Sequence, residues 1–322
     1  MIEFGPVDLY DDDLAQQWVD VVNDESAQRQ GPQAQQTSVP EMREVMERGT
    51  DRRQTFAAWW HGRLVGTLQT ITNVHDNLRT GNLWLVVHPD HQRHGVGSAL
   101  LGLAEQTLRE LGCTRIHTHT NSDAADGEAP AAFARHHGYR QTLVDVRLDL
   151  DLPAALPEAE VDPAYDIEVA LDELPEEWLA DRAHLARRMS TDAPRGEIDL
   201  DEEEWDVERV RRQWSAGSAT RGVEAVARHR ATGQLVGYTD VTVRPATPHL
   251  AIQADTLVLT EHRGHGLGRA MKLAQIRALT HELPQVTTLR TWNAQTNTHM
   301  LAVNKALGFY ECGFTHEWTK DL

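Results

Sequence analysis

The feature that most constrains this chain is a turn that occurs twice. Gln92-Arg93-His94-Gly95-Val96-Gly97 and, 171 positions on, Arg263-Gly264-His265-Gly266-Leu267-Gly268 share the pattern Gln/Arg-x-x-Gly-x-Gly. Each follows an apolar, β-prone run: Leu83-Trp84-Leu85-Val86-Val87 in the first case, Thr256-Leu257-Val258-Leu259-Thr260 in the second. Each precedes a stripe at helical spacing, Leu100, Ala104, Leu108 and Leu111, then Leu267, Met271, Ala274 and Ala278. A strand therefore feeds a glycine-rich turn, and the turn opens a helix. Glycine tolerates positive φ and lets another molecule approach the backbone. The first N–H groups of a helix lack intrahelical partners and carry partial positive charge. Such a turn suits a phosphate or pyrophosphate.

Neither turn has the third glycine and downstream acid of a dinucleotide-binding fingerprint. Neither continues into the Gly-Lys-Ser/Thr of a P-loop. At these residues the chain resembles the GNAT superfamily of acyl-CoA-dependent N-acyltransferases, whose pyrophosphate-binding motif is Gln/Arg-x-x-Gly-x-Gly/Ala. Asn297 through Phe309 is similar to that family's next motif, which ends Leu-Gly-Phe. The resemblance covers nearly the whole chain as two tandem copies, an arrangement similar to that of mycothiol synthase. It implies an α/β (α+β) fold: two GNAT-like domains, each a twisted, mostly antiparallel sheet with helices on both faces. It implies acetyl-CoA, or another acyl-CoA, as cofactor. The implied cofactor contacts are Val87, Gln92, Arg93, His94, Gly95, Val96 and Gly97 in the first copy. In the second they are Val258, Leu259, Arg263, Gly264, His265, Gly266, Leu267, Gly268, Arg269 and Asn297.

The order of elements supports a duplication. Both copies read as an opening strand, helices, a hairpin, the strand before the glycine turn, its helix, a further strand, a short helix ended by glycine, and a last strand. His61-Gly62-Arg63 and Thr232-Gly233 mark the two hairpins. Residues 151–164 carry three prolines and little apolar pattern, which predicts a linker between domains at 1–150 and 165–322. The acidic cluster from Asp199 to Glu204 reads as a solvated helix start, with a cation site as the other possibility. No stretch approaches the ~18 apolar residues of a membrane span. Met1-Ile2-Glu3-Phe4 reads as no secretion signal, and Cys113 and Cys312 form no disulfide framework or metal spacing, so the expected compartment is the cytoplasm. A net charge of −18 argues against nucleic acid or an anionic membrane as partner and is compatible with a cationic amine. The expected assembly is a monomer or homodimer.

Acyl transfer from a thioester to an amine needs a polarised carbonyl, a neutral attacking amine and, where required, a proton for the thiolate. The resemblance puts the backbone of Val258 and Leu259, and of Val87 and His88, beside the pantetheine arm. Free N–H groups there can serve a developing oxyanion. A general base is an acid, a histidine or a water held by one. Asp255 stands just before its strand core, where aspartate is disfavoured; it is a base or water-holder, or a structural hydrogen-bonding residue. The matching residue in the first copy is Trp84. His117 and His119 share one strand face there and either titrate near neutral pH or pack. Many family members protonate the thiolate with a tyrosine four residues before the Gly-Phe. That catalytic position is Asn304 in the second copy and Ala134 in the first. Neither side chain is an acid, so the role stays open, with Tyr310 and His299 near in sequence. The motif's asparagine is Asn297 in the second copy, against Gly127 in the first. Asn293 and Asn297 meet cofactor or substrate, or cap the helix.

The expected activity is N-acetyl transfer from acetyl-CoA to a small-molecule amine. The C-terminal copy is expected to carry the chemistry and the N-terminal copy to persist as a scaffold. Three alternatives stand beside it: a carrier protein's pantetheine as acyl donor, a protein amine as acceptor, and an acyl-CoA-binding module without turnover.

Overall fold

A computed structural model describes residues 2–47, 51–123, 129–158, 160–192, 202–214 and 220–322. In chain order the first repeat runs β1 (Ile2–Pro6), α1 (Asp12–Gln30), α2 (Val39–Glu47), β2 (Asp51–Trp60), β3 (Arg63–Asn73), β4 (Thr80–Val87), α3 (Val96–Glu110), β5 (Arg115–Ser122), α4 (Ala129–His136) and β6 (Arg140–Asp151). The second runs β7 (Tyr165–Leu171), α5 (Leu179–Asp192), α6 (Val207–Trp214), β8 (Arg221–His229), β9 (Leu235–Val243), β10 (Leu250–Val258), α7 (Leu267–Glu282), β11 (Thr288–Ala294), α8 (Thr298–Ala306) and β12 (Tyr310–Asp321). The helix read over 201–214 forms only from Val207; Asp199 to Asp201 lie outside the described residues. Glu203, from the same acidic cluster, accepts from Trp205 and pairs with Arg209.

The chain forms two compact units, and they do not follow the boundaries at 150 and 165. The first comprises Met1–Val144 with Phe314–Leu322; the second takes Asp145–Arg195 and Glu202–Gly313. Pairing explains the difference. β6 runs antiparallel to β11, from Asp145 opposite Ala294 to Asp151 opposite Thr288. β12 runs antiparallel to β5, from Phe314 opposite Ser122 to Asp321 opposite Arg115. The last strand of each repeat thus completes the sheet of the other unit.

In the first unit the strand order is β1-β2-β3-β4-β5-β12, and in the second β7-β8-β9-β10-β11-β6. The parallel pairs are β4 with β5 and β10 with β11. Helices cover both faces. In the first unit Leu68, Leu83, Val96, Leu100, Leu108 and Ile116 form the core under α3. Val7, Leu9, Trp18, Val21, Ala57 and Leu64 form the core under α1. Asp11 caps α1 by accepting from the N–H groups of Asp13 and Leu14, which satisfies two of the donors that a helix start leaves free. In the second unit Leu267 and Met271 of α7 pack with Leu257, Tyr238, Leu185 and Trp178.

Candidate active site

Each site begins where two parallel strands part. Regular parallel pairing of β4 with β5 covers Thr80, Gly81 and Asn82. Pairing of β10 with β11 covers Leu250, Ala251 and Ile252. Beyond these pairs a gap opens between the strands, and the glycine turn follows on the far end of β4 or β10. Gly95 and Gly266 sit at φ +83 and +70, and a Cβ built on either would meet no heavy atom within 4 Å. The first intrahelical bonds are donated by the N–H groups of Ala99 and Ala270, to the carbonyls of Gly95 and Gly266. The N–H groups of Val96, Gly97 and Ser98, and of Leu267, Gly268 and Arg269, stand ahead of those bonds beside open space. The residues present therefore fit a pyrophosphate.

The first residue of each motif fixes the turn to its strand. Gln92 donates to the Val87 carbonyl at 3.1 Å, and Arg263 donates to the Val258 carbonyl at 3.0 Å. The N–H groups of His88 and Leu259 are taken by the Val65 and Val236 carbonyls. Backbone groups alternate along a strand, so Val87 and Val258 direct their N–H groups into the gap. Leu259, expected beside the pantetheine arm, spends its N–H on the sheet instead. His265 pairs with Asp162 at 2.7 Å, and Arg263 also reaches Asp192 at 3.1 Å. In the first unit His94 stacks edge-on against Trp60, with ring centroids 5.0 Å apart, and Arg93 takes a positive φ of 64.

The first unit has an open cleft of about 840 Å³ that reaches both faces of its sheet. Val22 and Arg29 of α1 line one side, Trp84 and His119 the gap, and Ser98, Leu101, Phe133 and His137 the other side. The Ser98 hydroxyl and His137 Nε2 are 3.0 Å apart. Trp84 is 53% exposed, and the Arg53 guanidinium lies over its ring. His117 and His119 part company. His117 is buried, and burial holds its pKa below the ordinary value; His119 faces the cleft. Gly127 lies outside the described residues.

The second unit differs at the strand before the turn. β10 carries a bulge between Gln253 and Thr256, whereas the register of β4 on β3 is unbroken. Asp255 sits in that bulge, which is how the strand tolerates it. Its carboxylate accepts from the Tyr238 hydroxyl at 2.8 Å, and its N–H donates to the Asp240 carboxylate at 3.0 Å. Asp240 is pushed up by burial first, then by the charge of Asp255. Glu224, fully buried, takes both its bonds from Arg182, whose guanidinium lies 3.4 Å from the Tyr238 ring centroid. Glu224 and Asp240 thus face the Arg182 guanidinium, and Asp255 joins them through Tyr238 and Asp240. Only Asp255 was visible in the sequence. Asp240 and Glu224 lie on strands as ordinary polar residues, and the register that brings Glu224 opposite Asp240 leaves no local signal.

The asparagines hold α8 in place. Asn297 caps α8, its side chain accepting from the Met300 N–H at 3.2 Å. Asn304 is fully buried and donates to the Asn293 side chain at 2.5 Å. It ties α8 to β11, and a carboxamide is no general acid near neutral pH. Tyr310 donates to Asp151, and burial, then that bond, push its pKa up to about 12. His299 is exposed on α8.

Two sheets parted beside glycine turns define a tandem acyltransferase of the GNAT type. The chain belongs to the acetyltransferase (GNAT) family, whose model matches residues 18–139 and again 183–314. Among solved structures it is similar to a tandem GNAT protein from the clavulanic acid biosynthesis pathway, at 27% identity and TM-score 0.84, over 100% of this chain and 98% of that one. It also shares its fold with a GCN5-related N-acetyltransferase from Sphaerobacter thermophilus, at 14% identity and TM-score 0.71, over 99% and 95% of the two chains. A glucosamine N-acetyltransferase region of a fungal multi-domain GH3 β-N-acetylglucosaminidase matches at 16% identity and TM-score 0.69, over 99% of this chain and 38% of that one. No protein of curated function matches the sequence. Among the described residues no helix is long and apolar enough to cross a membrane.

Proposed function

We propose that the protein transfers an acetyl group from acetyl-CoA to the amine of a small molecule, and that the second unit carries the chemistry. The carrying observation is Asp255, held in the β10 bulge by Tyr238 beside the carboxyl group of Asp240. When bound, acetyl-CoA supplies an activated acyl carbon. The N–H groups of Leu267, Gly268 and Arg269 hold its pyrophosphate, and the Val258 N–H serves the developing oxyanion. Asp255 takes the proton of the acceptor amine. With Glu224 paired to Arg182 and Asp240 holding its proton, the Asp255 carboxylate draws a cationic amine to that place. Thr239 and Thr256, joined through their hydroxyls at 2.7 Å, brace the strand on the opposite face from Tyr238. The free cysteines Cys113 and Cys312 accord with a reducing cytoplasm. The likeness to mycothiol synthase is one of tandem arrangement and assigns no substrate.

The open cleft in the first unit favours a second reading for that half: an acyl-CoA-binding module, or a seat for a carrier protein's pantetheine arm. One experiment separates the readings. Acetyl-CoA is supplied with a panel of small amines, and thiol release is followed. The proposal expects release that depends on the amine. Tight CoA binding by calorimetry with no release from any acceptor would leave only the binding module.

A further inference from the structure

The second unit has a proton donor to find, since position 304 is a buried amide. Among the described residues of the second unit, α7 holds an unused candidate. Lys272 of α7 is 1% exposed. Its ammonium donates to the Gln253 side chain at 2.6 Å and lies 5.8 Å from the Phe309 ring centroid. Gln253 is itself fixed, donating to Gln275 at 2.8 Å and to Thr239 at 2.9 Å. No carboxylate of the described residues lies within 4 Å of Lys272. An unpaired cation in a protein interior is costly, and helix packing alone would favour an apolar residue there.

The first unit shows what this place is. Leu101 stands in α3 where Lys272 stands in α7, 171 positions apart like the glycine turns. Leu83 and Tyr139 correspond to Gln253 and Phe309, from the strand pairing and from the glycine that ends the short helix. Leu83, Leu101 and Tyr139 all line the open cleft of the first unit. Lys272 also follows Gly268 by one helical turn, so both lie on one flank of α7. A Cβ on Gly97, the counterpart of Gly268, would meet Phe133 of α4 at 3.5 Å. Gln253 is the first residue of β10 beyond the parallel pairing with β11. Lys272 therefore sits at the closed end of the gap, on the side from which the glycine turn would feed a pantetheine arm.

We propose that Lys272 gives its proton to the sulfur of the leaving coenzyme A in the second unit, the role a tyrosine fills in many family members. This rests on the reading of that unit as the acetyl-transfer site. The amine attacks as the neutral base, its ammonium proton already lost to water; its nitrogen bonds to the acyl carbon, the carbon–sulfur bond breaks, and that bond's electron pair goes to sulfur. Lys272 protonates the sulfur and becomes a neutral amine; Asp255 holds the proton lost by the acceptor. Exchange with water returns both groups to their starting states. Burial brings the Lys272 pKa down to about 7, so the proton is held loosely enough to be given near neutral pH. The groups against it, the Gln253 amide and the Phe309 ring, do not titrate.

The test reads the cofactor thiol directly and needs no acceptor. CoA is bound to protein carrying Gly97→Glu, which leaves the second turn intact, and thiolate absorbance is followed against pH. A cation beside the sulfur should lower the thiol pKa by about 1–3 units relative to free CoA. Lys272→Met, apolar like Leu101, should abolish that shift while CoA still binds; Lys272→Arg should keep it. An equal shift in the Met variant would overturn the proposal. If Gly268→Glu leaves CoA affinity unchanged in that background, the second unit is not the CoA site, and the functional reading fails together with this one.

Discussion

The two units share a frame and differ in what they point into the gap. In both, the first motif residue clamps the end of the strand, and a glycine opens the helix. In the first unit the place between strand and helix is walled by Leu83, Leu101 and Tyr139; in the second by Gln253, Lys272 and Phe309. The strands differ by one residue. Thr80 and Leu250, which begin the parallel pairings, are 170 positions apart, whereas the glycine turns are 171 apart. Ala254 and Asp255 of the bulge thus take the place of Trp84. A bulge re-aims side chains at the cost of a local break in the ladder. Duplication has kept the pyrophosphate cradle and changed the polarity of what lies beside it.

The largest effect that tests this contrast is on turnover. Gly268→Glu places a carboxylate at the cradle of the second unit and should abolish amine-dependent thiol release. Gly97→Glu should cost far less, at most several-fold. The reverse ranking would put the chemistry in the cleft of the first unit. Equal loss from both would mean that the units act as one.

Asp255→Asn comes next. Loss of a general base lowers rates by about 10²–10⁴-fold, so kcat should fall at least ~10²-fold while CoA affinity by calorimetry barely moves. Asparagine still accepts from Tyr238, which keeps the bulge anchored. Parallel losses in kcat and thermal stability would make Asp255 a structural residue.

Much of this was legible beforehand, and the limits have physical causes. The strand–glycine–helix signal is local, so the turns, the hairpins and the mostly antiparallel sheets with helices on both faces could be read from short windows. The partner of a strand is not local. Alternation marks β6 and β12 as strands but does not say which sheet receives them. The bulge was hidden because one inserted residue changes no composition; only the register of β9 on β10 reveals it. Asp255 drew attention as an acid in a β run, but its neighbours Asp240 and Glu224 are supplied by pairing. Asn297 and Asn304 stand at positions the motif names, and that their side chains also cap and tie α8 shows only in the folded chain.

A smaller contrast concerns two equivalent glycines. Gly66 and Gly237 both lie under the helix that follows the turn. A Cβ on Gly237 would come within 2.8 Å of the Leu257 carbonyl oxygen, a backbone atom. On Gly66 it would meet the tips of Leu100 and Val96 at 3.0 Å, which can shift. Gly237→Ala should therefore destabilise by about 1–3 kcal/mol, as overpacking commonly does, and Gly66→Ala by less. Urea unfolding of the two variants checks the order; a costlier Gly66→Ala would show that the first core is the less yielding one.

The smallest effect is one of sign. Burial lowers the pKa of His117 in the first unit, so below the ordinary value of about 6.5 the unfolded chain binds more protons than the folded one. That contribution to stability is complete above pH ~6.5 and is lost as pH falls toward the depressed folded value. Asp240 in the second unit is raised by burial. Its folded form keeps a proton that the unfolded chain sheds above about pH 3.9, so its contribution is complete at low pH and is lost as pH rises toward the raised value. Lys272 stays protonated in both states below its folded value, and carboxylates lowered by arginine partners, such as Asp172, act at the acid end. Below about pH 6.5, down to the depressed His117 value, the two groups therefore pull in opposite directions, each by at most about 1.4 kcal/mol per pH unit. Hydrogen exchange, expressed as local opening free energies, should show β5 losing protection relative to β9 as pH is lowered across that range. His117→Gln should flatten the trend in β5, and Asp240→Asn the trend in β9. The same direction in both strands, unaltered by either substitution, would show that these buried groups do not set the pH response of their units.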